Sequence, residues 1–282
     1  MDATGGYTLP NVVMPGVLSA MTAQSSVLQA GAGIIAIENG AKDFTYAAVD
    51  SVPSASWRAE SAAIAESDPV FRGVIAAPKS LAFYFKISRE LLMDGQGIEQ
   101  ALNQAIAQSF ALSLDAAALR GSGTAPTPRG LLNTTGVHAI SSGAAGSVLT
   151  NYSKLFDGVA AILGSDHPMP TAAIMHPRSL VKLGSLLDTT NQPMQVPGML
   201  TNVKLLQTSQ IPVNLTVGAS TDCSEIYLGD FTQLQYIMRE SVSIALLREA
   251  FATTGELGFV GHVRCDVAVL RPKAFAIITG VR

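Results

Sequence analysis

The sequence predicts an α+β fold, on three observations. Residues 81–88 (LAFYFKIS) alternate without a break: Leu81, Phe83, Phe85 and Ile87 fall on one face, Tyr84 and Lys86 on the other. That is the pattern of a half-buried strand. Shortly after it, Ile98, Leu102, Ile106, Phe110 and Leu114 recur every four residues with alanines on the flanks, which is helical. From Ile226 onward the chain reads as strand after strand: IYLGDF, LQYIMR, SVSIALL, GFVGHVRCDVAVL and AFAIITG. A long helix and a strand-rich run segregated along one chain point to α+β.

The chain opens on MDATGGYTLPNVVMP, which Gly and Pro punctuate and which is expected to run as an extended arm. Val17, Met21 and Leu28 fall near one face of a short helix over 16–30. Local sequence offers that helix no mate, so this uncharged segment is expected to lie on a neighbouring subunit. Residues 33–80 read as a long two-stranded excursion, with GIIAIEN and FTYAAV on the way out. Its tip, SVPSASWRAESAAIAESDPVFRG, is polar and carries Pro53, Pro69 and Gly73. A hairpin of that length has no core of its own and must lean on something.

The long helix follows, with Asp94 as N-cap and Gly121 as its stop. A four-residue step overshoots the helical turn by about 40° each time, so the apolar stripe winds and the helix crosses its neighbours obliquely. At roughly 25 residues it spans about 37 Å, long enough to be the spine of a domain. GSGTAPTPRGLLNTTG (121–136) is a loop. Short elements then alternate: a helix over 152–163, a strand over 171–175, and a helix from Pro177 to about 187, opening on a residue favoured in a first turn. A Pro- and Gly-rich loop over 188–200 leads into the closing strands. There is no internal repeat and no low-complexity segment.

Charged residues make up 14% of the 282 residues and hydrophobic ones 48%, against about 25% charged in an ordinary soluble domain. Two readings of this stand: a compact, unusually apolar monomer, or a surface largely buried against other subunits, which is the simpler. The formal net charge of −3 provides no basic field, which excludes a dedicated DNA-binding module but not a container. Cys223 and Cys265 have no CxxC context, and free buried thiols are expected rather than a disulfide. The first basic residue is Lys42, so the N-terminus lacks the positive flank of a signal peptide. Residues 3–37 are uncharged, but Pro10 and Pro15 break the run and Thr22, Gln24, Ser25, Ser26 and Gln29 interrupt it. No membrane span is expected there.

His138, His167, His176 and His262 lie in separate segments without HxxxH or HxH spacing, and no GxSxG, P-loop or GxGxxG is present. No catalytic, metal or cofactor site is therefore expected. RGSGT (120–124) suggests a phosphate cradle, but Pro126 and Pro128 stand where a helix would have to begin. Glu60 and Glu66 lie on the hairpin tip, which offers no pocket for acid–base work. Trp57, the one tryptophan, sits among polar neighbours there; it suits an anchor in an adjacent subunit's pocket better than a core residue. The candidates for contact between subunits are Trp57, Arg58, Glu60, Glu66 and Phe71.

Five segments together resemble the tailed-phage major capsid family with the Hong Kong 97 fold. GGYTLP resembles the family's arm entry, and SWRAESAAIAESDPVFRGVIAAPKSLAFYFKISRELLMD (56–94) its extended loop, following strand and start of the spine helix. LDAAALRGSGTAPTPRGLL (114–132) resembles the end of that helix and the turn after it. AAIMHPRSLVKLGSLLDTTNQPM (172–194) resembles an apical-domain element, and VRCDVAVLRPKAFAIIT (263–279) the closing strand with its R-x-D and P-x-A-F. The resemblance implies an N-terminal arm over 1–35, an extended β-hairpin loop over 36–80, a peripheral domain with the spine helix over 81–130 and 236–282, and an inserted apical domain over 131–235. It implies many copies assembling as pentamers and hexamers around double-stranded DNA in a virion built in the host cytoplasm. Portal, scaffolding and decoration proteins are the further partners.

Two departures from the family pattern matter. Many members carry an N-terminal scaffolding segment, whereas this sequence starts at the arm; it is either a mature product or one served by a separate scaffold, and Met1 favours the second or an engineered start. Some members weld subunits through a loop lysine and an asparagine, but 51–73 holds no lysine and 250–265 no asparagine, so no such cross-link is expected. The competing readings are an encapsulin-like nanocompartment shell, a gene-transfer-agent capsid and, from another class, an oligomeric serine hydrolase using Ser88 or Ser122 with a histidine base.

Overall fold

The computed structural model describes residues 12–13, 24–37, 44–51, 55, 57–58, 60, 66–68, 70–90, 98–188, 190–247, 251 and 254–282. Its strands form two sheets and a separate hairpin. In the five-stranded sheet β11 (Leu234–Leu247) and β12 (Glu256–Val269) run antiparallel, and β12 pairs antiparallel with β5 (Lys79–Ser88). The free edge of β11 takes β2 (Gly33–Ala36) in parallel against residues 235–238, and β1 (Val12–Val13) against Ser243 and Ile244. The six-stranded sheet runs β6 (His138–Ser141), β13 (Phe275–Val281), β10 (Ser220–Gly229), β7 (Ala172–Met175), β8 (Lys204–Gln207), with β9 (Leu215–Val217) also on β10. The hairpin pairs β3 (Phe44–Ser51) with β4 (Val70–Ala76).

The long helix, α2 (Ile98–Arg120), lies in the larger core. Ile106, Phe110 and Leu114 of the expected stripe are buried and Leu102 packs at the margin, while Ala107, Ala111 and Ala118 are sealed beside them. Those alanines let the neighbouring layers come close. Phe110 meets Phe83 of β5 edge-on at 4.9 Å between ring centroids, a favoured aromatic geometry. Opposite Phe83 in the ladder stands Gly261, where a Cβ would run into the ring. The helix stops at Arg120 as expected, with the Gly121 amide donating to Ala117 O. The expected cap Asp94 lies outside the described residues.

The central strands of the six-stranded sheet, β7, β10 and β13, are buried on both faces. Residues alternate along each strand, so Phe275 and Ile277 enter the larger core while Ala276 and Ile278 enter a second one, with Leu155, Val159 and Ile162 of α3 (Ser153–Leu163). A strand with two buried faces reads as a continuous apolar run, and AFAIITG does. This corrects one expected grouping: residues 275–281 pair with β10 and β6, not with the strands of the five-stranded sheet. The 3-10 turn at Pro272–Ala274 carries the chain from one sheet to the other. Sequence periodicity cannot show such a change of sheet, because both partners lie far away in the chain. Helix α4 (Pro177–Gly184) begins at its proline, capped by His176 Nδ1, which accepts from Arg178 N at 3.0 Å. It ends at Gly184, earlier than expected.

The N-terminal expectation also changes. Val27, Leu28 and Ala30 around α1 (Ser26–Gln29) are buried in this subunit's own larger core, beside Phe110, Leu114 and Tyr236. Residues 25–28 and Ala30 are therefore buried within their own subunit rather than laid on a neighbour. Their mates are non-local, which is why the sequence around them offers none. Among the described residues no helix is long and apolar enough to cross a membrane.

Candidate inter-subunit surfaces

In the hairpin, Thr45, Ala47 and Val49 stand opposite Ile75, Gly73 and Phe71. Alternation along β4 places Phe71, Gly73 and Ile75 on one face and Arg72, Val74 and Ala76 on the other. The second face turns inward: Ala76 packs with Ile237 and Ala268, and Val74 and Ile37 lie against them. The first face turns outward, with Phe71 64% and Ile75 68% exposed. Apolar side chains presented this way on a two-stranded ribbon call for a partner.

Two polar contacts hold the base of the hairpin to the five-stranded sheet. Arg72 Nη2 donates to Val269 O at 3.2 Å and Leu270 O at 3.1 Å. Asp266 of β12 accepts from Ala77 N at 2.7 Å, between β4 and β5. Burial pushes the Asp266 carboxyl up, against the lowering effect of the Ala77 and Val267 amides and of Lys79. Asp266 is the aspartate of the R-x-D in the closing strand, whereas Arg72 resembles an ordinary surface charge until its register is known. Arg72→Ala is expected to cost about 1–2 kcal/mol, the worth of charge-assisted bonds to two carbonyls, read as a lower urea midpoint at unchanged slope.

Of the expected contact residues, Trp57 is 104% exposed and Arg58, Glu60 and Glu66 are exposed with it. Phe71 stands on the outward face of β4. All five lie on the hairpin excursion, and the exposed Ile75, absent from the expected set, extends the same face.

A buried polar link joins α2 to the six-stranded sheet. Arg120 Nη1 lies 3.4 Å from Glu225 Oε2, near enough for charge attraction but not aligned for a hydrogen bond. Tyr227 OH donates to the same oxygen at 2.7 Å. Burial, then the Glu225 charge, pushes the Tyr227 hydroxyl far above its ordinary range.

The serines named for hydrolysis do not meet a histidine among the described contacts: Ser122 Oγ lies 2.8 Å from Thr124 Oγ1 and 2.6 Å from Thr127 Oγ1, and Ser88 stands opposite Glu256. Ser165 Oγ is 3.1 Å from His138 Nε2, yet it also bonds Ala161 O, and no carboxylate orients that ring among the described residues. Both cysteines are free and buried, and burial, then the Asp266 charge, pushes the Cys265 thiol to about 11. Among the described residues no three His, Cys, Asp or Glu converge as metal ligands.

The model of the phage capsid family matches residues 5–280. The major capsid protein of Klebsiella oxytoca phage phiKO2 is 26% identical over 240 residues, covering 82% of this chain; the chain spans 55% of that relative's length. Among solved structures, the capsid of an empty GTA particle, computed with C5 symmetry, superposes with a TM-score of 0.70 at 20% identity, over 100% of this chain and 96% of that one. A chain from Mycobacterium phage Bobi superposes at 0.68 with 15% identity, over 92% and 90%.

Proposed function

The chain belongs to the phage capsid family, and from that premise we propose that it is a major capsid protein, assembling as pentamers and hexamers into the icosahedral shell around the double-stranded DNA of a tailed phage. The observation that carries this reading is the outward face of β4 bearing Phe71 and Ile75, with Trp57 exposed beyond it. Such surface is stable only when another copy covers it, and a closed shell supplies one to every subunit.

In this reading the fold is of the Hong Kong 97 type. The hairpin within 36–80 is the extended loop and α2 the spine helix. The five-stranded sheet belongs to the peripheral domain, and the six-stranded sheet, with 275–281 added, to the apical domain around the five-fold and six-fold axes. The N-terminal segment over 1–35 is the arm. The subunit is a structural part of the virion, assembled in the host cytoplasm. It encloses DNA without reading sequence, in keeping with a net charge of −3. Portal, scaffolding and decoration proteins complete the particle. A second reading, the capsid of a gene-transfer particle, is favoured by the likeness to the GTA capsid.

Sedimentation of the purified protein, with nuclease-protected nucleic acid assayed on the same fractions, separates the readings. A megadalton species protecting genome-length DNA supports the phage capsid. Short protected fragments of host sequence favour the gene-transfer particle, and enclosed protein without DNA an encapsulin-like shell. A small oligomer under every assembly condition contradicts all three.

A further inference from the structure

The buried carboxylate of Asp115, in the C-terminal part of α2, serves a segment ninety residues away. It accepts from Ser25 Oγ, from Ser26 N at 2.8 Å and from Val27 N at 3.4 Å, so it satisfies the first amides of α1 from outside. The same segment is tied to the six-stranded sheet: Ser26 Oγ donates to Gln207 O of β8, and Thr171 Oγ1 donates to Ala30 O at 3.3 Å. Residues 25–30 therefore bridge α2 and the second sheet.

The groups facing Asp115 offer it no counter-charge. From β11 comes Tyr236, whose hydroxyl reaches Leu114 O at 3.4 Å, and beyond it Cys265 of β12; burial pushes both up, so both stay neutral. Within one turn α2 offers only alanine, leucine and serine, and the α1 segment carries no charge. Arg120, further along, is turned to Glu225. A carboxylate held by three hydrogen bonds and no cation is a sensitive fastening.

We propose that Asp115 is the positioning residue of this joint: its carboxyl group holds 25–30 in the seam between α2 and the six-stranded sheet, and the seam opens or closes with the charge on that one group. The joint fixes the position of residues 25–30 within the N-terminal segment. In that respect the proposal rests on the shell reading, in which this segment is the arm.

Burial raises the Asp115 carboxyl from 3.8 to about 6, and the three hydrogen bonds oppose that rise. The closed seam thus holds the proton more tightly than an open, hydrated one. Closure is favoured most below about pH 4 and loses that advantage as pH rises to about 6.

Hydrogen exchange of the full chain, read in peptides covering 24–32 and corrected for intrinsic rates, tests this. In the wild type, opening of this segment is expected to rise up to roughly a hundredfold from pH 4 to pH 6 and then level off. Asp115→Asn, with no charge to gain, is expected to give a flat profile. Should that variant not fold, Ser25→Ala keeps the carboxylate but removes a bond that lowers its pKa, so the upper bend moves above pH 6. A flat wild-type profile, a wild-type-like profile in Asp115→Asn, or the same pH slope in peptides from α3 would overturn the proposal. None of these outcomes bears on whether shells form, which sedimentation decides separately.

Discussion

Changing Trp57 to Ala and Phe71 to Asp together is expected to abolish shell assembly while leaving the subunit folded. Both side chains are largely exposed in the single subunit, at 104% and 64%. Exposed substitutions away from caps and networks usually shift folding stability by no more than about 0.5 kcal/mol. Across an interface the same groups are aromatic anchors, each worth about 2 kcal/mol or more where it fills a pocket. Placing a carboxylate in an apolar contact adds a desolvation penalty. Because every copy carries the change, every contact in the shell weakens at once. Sedimentation should show only small species at concentrations where the wild type forms particles, with unchanged urea unfolding. Normal particles from the double variant would remove the hairpin from the assembly contacts.

Phe110→Ala is expected to act in the opposite place, on the subunit itself. Phe110 is 2% exposed and packs against the Phe83 ring, whose neighbour across the ladder is the tightly fitted Gly261. Truncating a buried phenylalanine costs about 3–5 kcal/mol, the transfer loss plus a cavity. That is a large part of the 5–15 kcal/mol typical of a domain. The long helix, β5 and β12 share this contact, so relaxation around the cavity is restricted. The expected result is an unfolding free energy lowered by that amount, read as a lower urea midpoint at unchanged slope, or insoluble protein. Phe110→Leu, which keeps most of the volume, should cost about 1.5 kcal/mol or less. Equal losses in both variants would mean the ring is not packed as described.

What the sequence revealed, and what it hid, follows from the range of the interactions. The alternation of 81–88 and the four-residue stripe of 98–114 are local patterns, and both elements form where those patterns lie. Turn residues marked the end of α2 at Gly121 and the start of α4 at Pro177 for the same reason. The burial of 26–30 could not be read, because its partners Asp115, Gln207 and Thr171 are far along the chain. Nor could the transfer of 275–281 to the six-stranded sheet, or the single β11 in place of two short strands. Its irregularities, between Met238 and Glu240 and between Glu240 and Ser243, break the periodicity without breaking the ladder. For the candidate surface, composition and the lone tryptophan pointed to the hairpin. The outward face of Phe71 and Ile75, and the inward anchor of Arg72, needed the register between β3 and β4.

The measurement that bears most directly on this reading is a cryo-electron microscopy reconstruction of the assembled particle. An icosahedral shell in which Phe71 and Ile75 of each hairpin are covered by a neighbouring copy is the expected result. Shells in which that face stays open to solvent, or no shells under any assembly condition, would contradict it.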